Sequence, residues 1–127
     1  MTVIEFDARS EHPLKIGVSF TDEISASYII DVYEASSNDV VMTKRGNNLN
    51  PDDDIFKLPM PLIHNHNRII EANISFRSKD GSSSGTYKID TTIYQGEQAL
   101  GAASVSGSIS DHVQRELLFL KLKSNTL

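Results

Sequence analysis

Apolar and polar residues alternate with a period of two along much of the chain, which is the pattern of β-strands with one buried face. In residues 14–20, apolar side chains occupy every second position, and small or polar residues lie between them. The same alternation occurs in residues 3–8, 70–77, 87–93 and 118–122. Residues 28–33 are apolar on both faces, which is typical of a strand covered on both sides.

Clusters of turn-forming residues separate these runs, at residues 36–39, 79–81 and 95–97. About eight strands at this spacing predict an antiparallel β-sandwich, immunoglobulin-like or jelly-roll in connectivity, with a closed barrel as the alternative. The apolar positions of the alternating runs predict the core. We expect it to contain Ile4, Phe6, Ile16, Val18, Phe20, Ile30, Val32, Ile74, Phe76, Tyr87, Ile89, Ile93, Leu118 and Leu120.

Residues 83–89, Ser-Ser-Gly-Thr-Tyr-Lys-Ile, resemble the tyrosine corner of immunoglobulin-like sandwiches. Ile89 stands where antibody domains carry a cysteine, and the chain has neither Trp nor Cys. In that motif the tyrosine hydroxyl bonds to backbone a few residues upstream, so the resemblance implies this role for Tyr87. The resemblance is limited to this segment, and it favours a sandwich.

The segment Gly46–Arg68 differs from the rest of the chain. It holds three of the four prolines, the acidic run at residues 52–54 and a concentration of asparagines. Because proline cannot donate to a sheet ladder, the segment is predicted to be an edge strand or a long loop, and long loops are often functional. No helical periodicity is long enough for a regular helix, and the best short candidate, Asp111–Glu116, fits a turn equally well.

His64 and His66 flank one residue of this segment and are the most suggestive metal ligands. In an extended strand they would share a face and could reach one zinc, iron or manganese ion, with His112 or one of Asp52, Asp53 and Asp54 as a third ligand. The alternative, which we favour, is a polar loop with surface histidines. Residues 47–54 offer oxygen ligands for calcium, but they lack the EF-hand spacing, and a plain turn explains them better.

Four serines, Ser104, Ser106, Ser108 and Ser110, occupy one face of another predicted strand. Such a row leaves a flat surface that a sugar or a partner's backbone could approach, although serine is also common at solvent-facing strand positions. If the strand lies at a sheet edge, a partner could pair with it by β-augmentation.

Composition narrows the function classes. The 127 residues fit one domain, and the absence of cysteine excludes disulfides, thiolate metal sites and thiol nucleophiles. The chain has 12 Lys and Arg against 17 Asp and Glu, a net charge of -5, which argues against nucleic-acid binding. No apolar run has the length of a membrane span or signal peptide, so we expect a cytoplasmic protein, or one exported without a cleavable signal.

Three functions remain open. The first is a non-catalytic module that binds a protein partner or a carbohydrate through the 46–68 loop, with protein favoured because the chain has no Trp and few aromatic residues. Its ligand-binding residues would be Asn47, Asn48, Asn50, Asp52, Asp53, Asn65 and Asn67. The second is a metal-dependent enzyme that uses His64 and His66 as metal ligands. The binding module, in contrast, would need no cofactor. The third is a structural subunit that assembles through edge strands, and a homo-oligomer is one form that this assembly could take.

The glycines at positions 81 and 85 bracket a run of serines. Because Gly81 and Gly85 precede a strand, no phosphate-binding loop or nucleophile elbow is expected there.

Overall fold

The computed structural model describes residues 1–21, 23–49, 54–81, 85–110 and 113–125. Alternating sequence runs form nine strands within these ranges. They are β1 (Thr2–Phe6), β2 (Leu14–Phe20), β3 (Ile24–Tyr33), β4 (Val40–Asn47), β5 (Asp54–Lys57), β6 (Ile69–Ser78), β7 (Thr86–Gln95), β8 (Gln98–Ser108) and β9 (Gln114–Ser124). A single-turn 3-10 helix spans Leu62–Asn65. No helix among the described residues is long and apolar enough to cross a membrane.

The strands form two sheets that pack as a β-sandwich, which confirms the predicted fold class. The five-stranded sheet has the order β1-β9-β6-β3-β4, and the four-stranded sheet has the order β5-β2-β7-β8. All neighbours are antiparallel except β1 and β9, which run parallel. Among the described strands no ladder joins one sheet to the other, so the alternative of a closed barrel does not hold.

The core lies between the inner faces of the two sheets. Every predicted core residue is buried there except Phe20, which is only partly buried and packs against the cluster. Several further residues complete the core, namely Leu14, Ile24, Ala26, Tyr28, Leu58, Leu62, Ile70, Ala72, Ala103, Ile109 and Leu122. On β3 only the even-numbered residues are fully buried, while Ile29 and Tyr33 are half-buried. The prediction that both faces of this strand are covered is therefore wrong, because its outer face meets solvent.

The segment Gly46–Arg68 is not one long loop. Its first two residues end β4, and residues 54–57 form β5, an edge strand of the four-stranded sheet, as one of the two predictions allowed. The prolines at 59 and 61 follow β5, where no ladder bond is required of them. Leu58 and Leu62 are buried and anchor this part of the segment to the core.

The predicted turns at residues 36–39 and 95–97 are confirmed, since they join β3 to β4 and β7 to β8. Gly96 takes a φ of 62°, a left-handed conformation that suits glycine in a tight hairpin. In Asp111–Glu116, the segment that fitted a short helix and a turn equally well, residues 114–116 begin β9 and are not helical. Asp111 and His112 lie outside the described residues.

The hydroxyl of Tyr87 bonds across the sandwich. It donates to Glu116 Oε1 on β9, 3.2 Å away in the opposite sheet. Residues 82–84, upstream of Tyr87 in the segment that resembles a tyrosine corner, lie outside the described residues. Gly107 on β8 leaves room for this ring, because a Cβ there would lie 2.8 Å from the Tyr87 hydroxyl oxygen. Tyr87 therefore links the two sheets through its hydroxyl.

Candidate functional site

The predicted histidine pair does not lie on an extended strand. His64 is in the 3-10 helix and is exposed, while His66 follows the helix and is half-buried. The Nδ1 atom of His66 accepts a hydrogen bond from the backbone N–H of Ser124 at 2.9 Å, so this nitrogen already has a role in the fold. No group of three histidine, aspartate or glutamate side chains that could hold a metal ion occurs among the described residues. The shared-face geometry on which the metal hypothesis depended is absent for this pair.

Asn48 completes the sheet after β4 ends. Its side-chain Nδ2 donates to the carbonyl of Ile24 at 2.8 Å, and its Oδ1 accepts from the backbone N–H of Ala26 at 2.8 Å. The amide thus bonds to β3 as another strand residue would. Both ends of the side chain are occupied within the protein, and this leaves little of it for a ligand.

Asn65 is fully buried and also serves the fold. It donates to the carbonyl of Pro59 at 2.8 Å and accepts from Arg68 at 3.1 Å. Asn67 takes a φ of 66°, and its backbone N–H donates to the carbonyl of Leu122 at 2.8 Å. These residues fix the chain between the 3-10 helix and β6.

Arg68 forms the centre of this fixed region. Its side chain is 8% exposed and makes a bidentate contact with Glu34, at 3.1 Å from Nε and 3.0 Å from the second guanidinium nitrogen. The hydrogen bond from Arg68, helped by the backbone N–H of Ala35, lowers the pKa of Glu34 from 4.5 to about 2. The pair ties the end of β3 to the start of β6.

Asn47 lies far from this cluster. It pairs with Ser27 near the start of β3, whereas Glu34 and Arg68 lie beyond its end, on the order of 20 Å away at strand spacing. The structure therefore does not bring Asn47 together with Asn65 and Asn67. Asn50, Asp52 and Asp53 lie outside the described residues.

Asn47 instead lines a concave surface on the outer face of the five-stranded sheet. Two adjoining cavities, of about 450 and 270 Å³, share Ser27 and Ser75. The larger is also lined by Ser25, Ala26, Asn47, Leu49, Phe76, Arg77 and Val113. The smaller is also lined by Tyr28, Ile29, Arg45, Gly46, Asn73 and Arg115. We call this surface the arginine groove, after Arg45, Arg77 and Arg115.

Strand register explains why these residues meet. Ser27 on β3 pairs with Ser75 on β6, and Ser75 pairs with Arg115 on β9. In the next row Ile29 pairs with Arg45 on β4. Residues two apart on a strand point to the same face of the sheet. The outward-facing side chains of β4, β3, β6 and β9 therefore form successive rows across this face. Small serines on β3 and β6 lie between Arg45 on β4 and Arg115 on β9, and Arg77 lies one row beyond Ser75 on β6.

The three arginines of the groove are exposed, and none of their side chains has a hydrogen bond or ion pair with a described residue. In contrast, the outer-face carboxylates one row away have hydroxyl donors. Asp31 accepts from Thr43 at 2.6 Å, and Glu71 accepts from Tyr33 at 3.3 Å. The groove therefore presents guanidinium groups, hydroxyls and an amide with donors available to an anion.

An apolar area adjoins the groove on the same sheet face. Leu117 lies in the row beside Asn73, and Phe119 lies one row further along β9. Their exposed fractions are 53% and 39%, high for large apolar side chains on a regular strand. Exposed apolar residues rimmed by charged ones are typical of interaction surfaces.

No protein-family model, curated protein sequence or solved structure matches this chain. The site therefore has to be judged on its own chemistry.

Sequence reasoning identified Asn47 but missed the arginines. Each arginine occupies the solvent-facing position of an alternating run, where any polar residue would look the same. The signal that could have drawn attention to them is compositional, since the chain has only five arginines and a net charge of -5. The local alternation of apolar and polar residues does not determine which strands are neighbours. It therefore does not determine which arginines lie close together.

Proposed function

We propose that this protein is a non-catalytic binding module that recognises an acidic segment of a protein partner at the arginine groove. The observation that carries the proposal is the convergence of three of the chain's five arginines on one concave surface, without a described acidic partner. Such a concentration is unexpected in a chain with a net charge of -5. An acidic ligand would supply the missing counter-charges.

Guanidinium groups suit carboxylates because their planar donors form two parallel hydrogen bonds with one carboxylate. Arg45 and Arg115 both line the smaller cavity, and Asn73 offers an amide there as well. Arg77 lines the larger cavity next to it, so more than one acidic side chain could be bound along the groove.

A protein ligand is favoured over a carbohydrate by the surroundings of the groove. Arginine and aromatic residues are enriched at protein interfaces, and Leu117 and Phe119 extend the surface with apolar contact area. The aromatic residues that line the groove, Tyr28 and Phe76, are buried in the core and offer no exposed ring on which a sugar could stack.

The test is a nuclear magnetic resonance titration of the uniformly labelled chain with a hexaglutamate peptide, and with its hexaglutamine counterpart. We expect the glutamate peptide alone to shift the amide signals of Ser27, Asn47, Asn73 and Ser75. The double variant R45Q/R115Q should weaken binding at least about tenfold, because each charge-assisted contact contributes more than 1 kcal/mol. The control R9Q/K57Q removes the same charge from exposed positions away from the groove and should leave affinity nearly unchanged.

An oligogalacturonate titration distinguishes the carbohydrate alternative. If the uronate binds the groove and the peptide does not, the ligand is an acidic sugar and the protein-binding proposal is wrong. If neither ligand shifts the groove signals, or if both double variants weaken binding equally, the groove is not a specific site.

A further inference from the structure

Strand β8 is an edge of the four-stranded sheet, and its edge differs from the other three. β1 and β5 are five and four residues long, and β4 carries adjacent Lys44 and Arg45. β8 has eleven residues and no charged side chain. Natural proteins usually shorten their edge strands or place charges on them, because unpaired backbone groups attract other strands. β8 lacks both protections.

The direction of the free backbone groups on β8 follows from the ladder geometry. The N–H of Ile109 donates to the carbonyl of Gly85 at 2.9 Å, continuing the register in which Ser108 pairs with Thr86. In an antiparallel pair, residues alternate between bonding the neighbour and pointing away from it. From residue 101 to the end of β8, where the register with β7 is constant, odd-numbered residues therefore bond β7, and the N–H and carbonyl groups of 102, 104, 106 and 108 point out of the sheet edge.

The opposite edge of β7 agrees with this assignment. The N–H of Thr21 donates to the carbonyl of Lys88, which places the even-numbered residues of β7 in bonds with β2. Its odd-numbered residues must then bond β8, as the Gly85 contact requires. The hydroxyl of Ser104 also bonds Asp90, directly opposite it on β7. Opposite side chains approach most closely in residue pairs that lack backbone hydrogen bonds to each other. The contact between Ser104 and Asp90 therefore agrees with the assignment of Ser104 as a residue that does not bond β7.

We propose that the free edge of β8 pairs antiparallel with β8 of a second copy of this chain, which would join two four-stranded sheets into one of eight strands. We favour a second copy as the partner because a two-fold symmetric dimer places the same strand on both sides of the interface, and the β8 sequence allows this pairing. Between Ala99 and Ser108 every antiparallel register places uncharged residues opposite one another, most of them Ala, Gly or Ser, so no like charges meet within this span. β1 approaches the beginning of β8, where a Cβ on Gly101 would lie 3.3 Å from Ile4, whereas residues 102, 104, 106 and 108 are exposed and β8 pairs with no described strand other than β7.

This inference is independent of the arginine groove, which lies on the outer face of the other sheet. A dimer joined through β8 would leave both grooves accessible. Variants of β8 and of the groove therefore test separate claims, and either can fail alone.

The test uses sedimentation velocity of the full chain from micromolar to millimolar concentration. We expect a reversible monomer–dimer equilibrium. The variant S106P removes an N–H that points away from β7, so the β7–β8 ladder is retained and circular dichroism should match the parent. It should lower the dimer association constant at least about tenfold, because it removes a central pairing bond and places a ring in the way. The control S106A keeps the backbone donor and should dimerise like the parent.

Hydrogen exchange of the unmodified chain locates the contact without relying on a variant. The amides of residues 102, 104, 106 and 108 should exchange more slowly as concentration rises, while edge amides of β4 should not change. A chain that stays monomeric at every concentration would overturn the proposal. So would a dimer that forms equally well with S106P, or one in which these amides gain no protection.

Discussion

At the scale of single residues, buried and half-buried amide side chains in this protein make the hydrogen bonds that a neighbouring strand's backbone would otherwise make. Asn48 bonds the carbonyl and N–H of β3 residues, and Gln95 does the same for Asp7, at 2.7 Å from its Nε2 and 3.0 Å to its Oε1. Each satisfies a donor and an acceptor where a strand ends. An asparagine in a loop sequence is therefore as consistent with this structural role as with ligand binding.

Thr91 is the exception to this rule. It is fully buried on β7, and its hydroxyl has no hydrogen-bond partner among the described residues. We expect T91V to raise the free energy of unfolding by about 1 kcal/mol, because valine has the same shape and removes an unsatisfied buried group. Urea denaturation measures the change, and T92V on the half-buried outer face serves as the control. A destabilised T91V would show that the hydroxyl is satisfied in solution.

At the scale of elements, ion pairing fixes the connection that enters β6. Glu34 follows β3, Arg68 precedes β6, and their bidentate contact joins two strands that are also neighbours in the sheet. The buried Asn65 supports the same guanidinium group from the 3-10 helix. A segment with little regular structure is thereby held in one position by side chains.

The lowered pKa of Glu34 predicts how this contact depends on pH. Because the folded-state pKa is about 2 against 4.5 unperturbed, the contact stabilises the fold fully above pH 4.5, and this contribution is lost as pH falls towards 2. We expect E34Q to be less stable than the parent at neutral pH, and the difference to shrink across this interval. Urea unfolding at several pH values measures it, with the exposed E97Q as control. A difference independent of pH would contradict this assignment.

At the scale of the whole molecule, two tyrosine–carboxylate contacts connect the sheets. Tyr28 on β3 bonds Asp54 on β5, and Tyr87 on β7 bonds Glu116 on β9. Burial, followed by the hydrogen bond to Asp54, raises the pKa of Tyr28 well above its usual value, so its hydroxyl remains a donor. The short edge strand β5 is thus held to the opposite sheet by a side chain as well as to β2 by its ladder.

Removing the first contact should loosen one side of the sandwich. We expect Y28F to lower the free energy of unfolding by about 1–3 kcal/mol, because the half-buried Asp54 loses its donor. Amides of β5 should exchange faster, while those of β8 should change only with global stability. Y94F is the control, because the hydroxyl of Tyr94 has no partner in the described part of the chain. Equal effects of Y28F and Y94F would mean that the hydrogen bond between Tyr28 and Asp54 does not contribute to the free energy of unfolding.

The sequence by itself determined the all-β class, the strand-rich core and most turns. These are local properties, because a period of two places Ile16, Val18 and their equivalents on one face whatever the neighbours are. It also determined the position of β8 and its lack of charge, although not that β8 lies at an edge. The apolar face of each strand needed no knowledge of the partner sheet.

Only the tertiary structure decided which strands are neighbours, and so which side chains meet. Arg45, Arg77 and Arg115 are separated along the chain and come together because β4, β3, β6 and β9 adjoin in one sheet. The pairing of β4 with β3 also places Asn47 far from Asn65, although both residues belong to the segment Gly46–Arg68. Strand order depends on long-range contacts whose pattern the local alternation does not encode, and the candidate site therefore appeared only when the sheets were assembled.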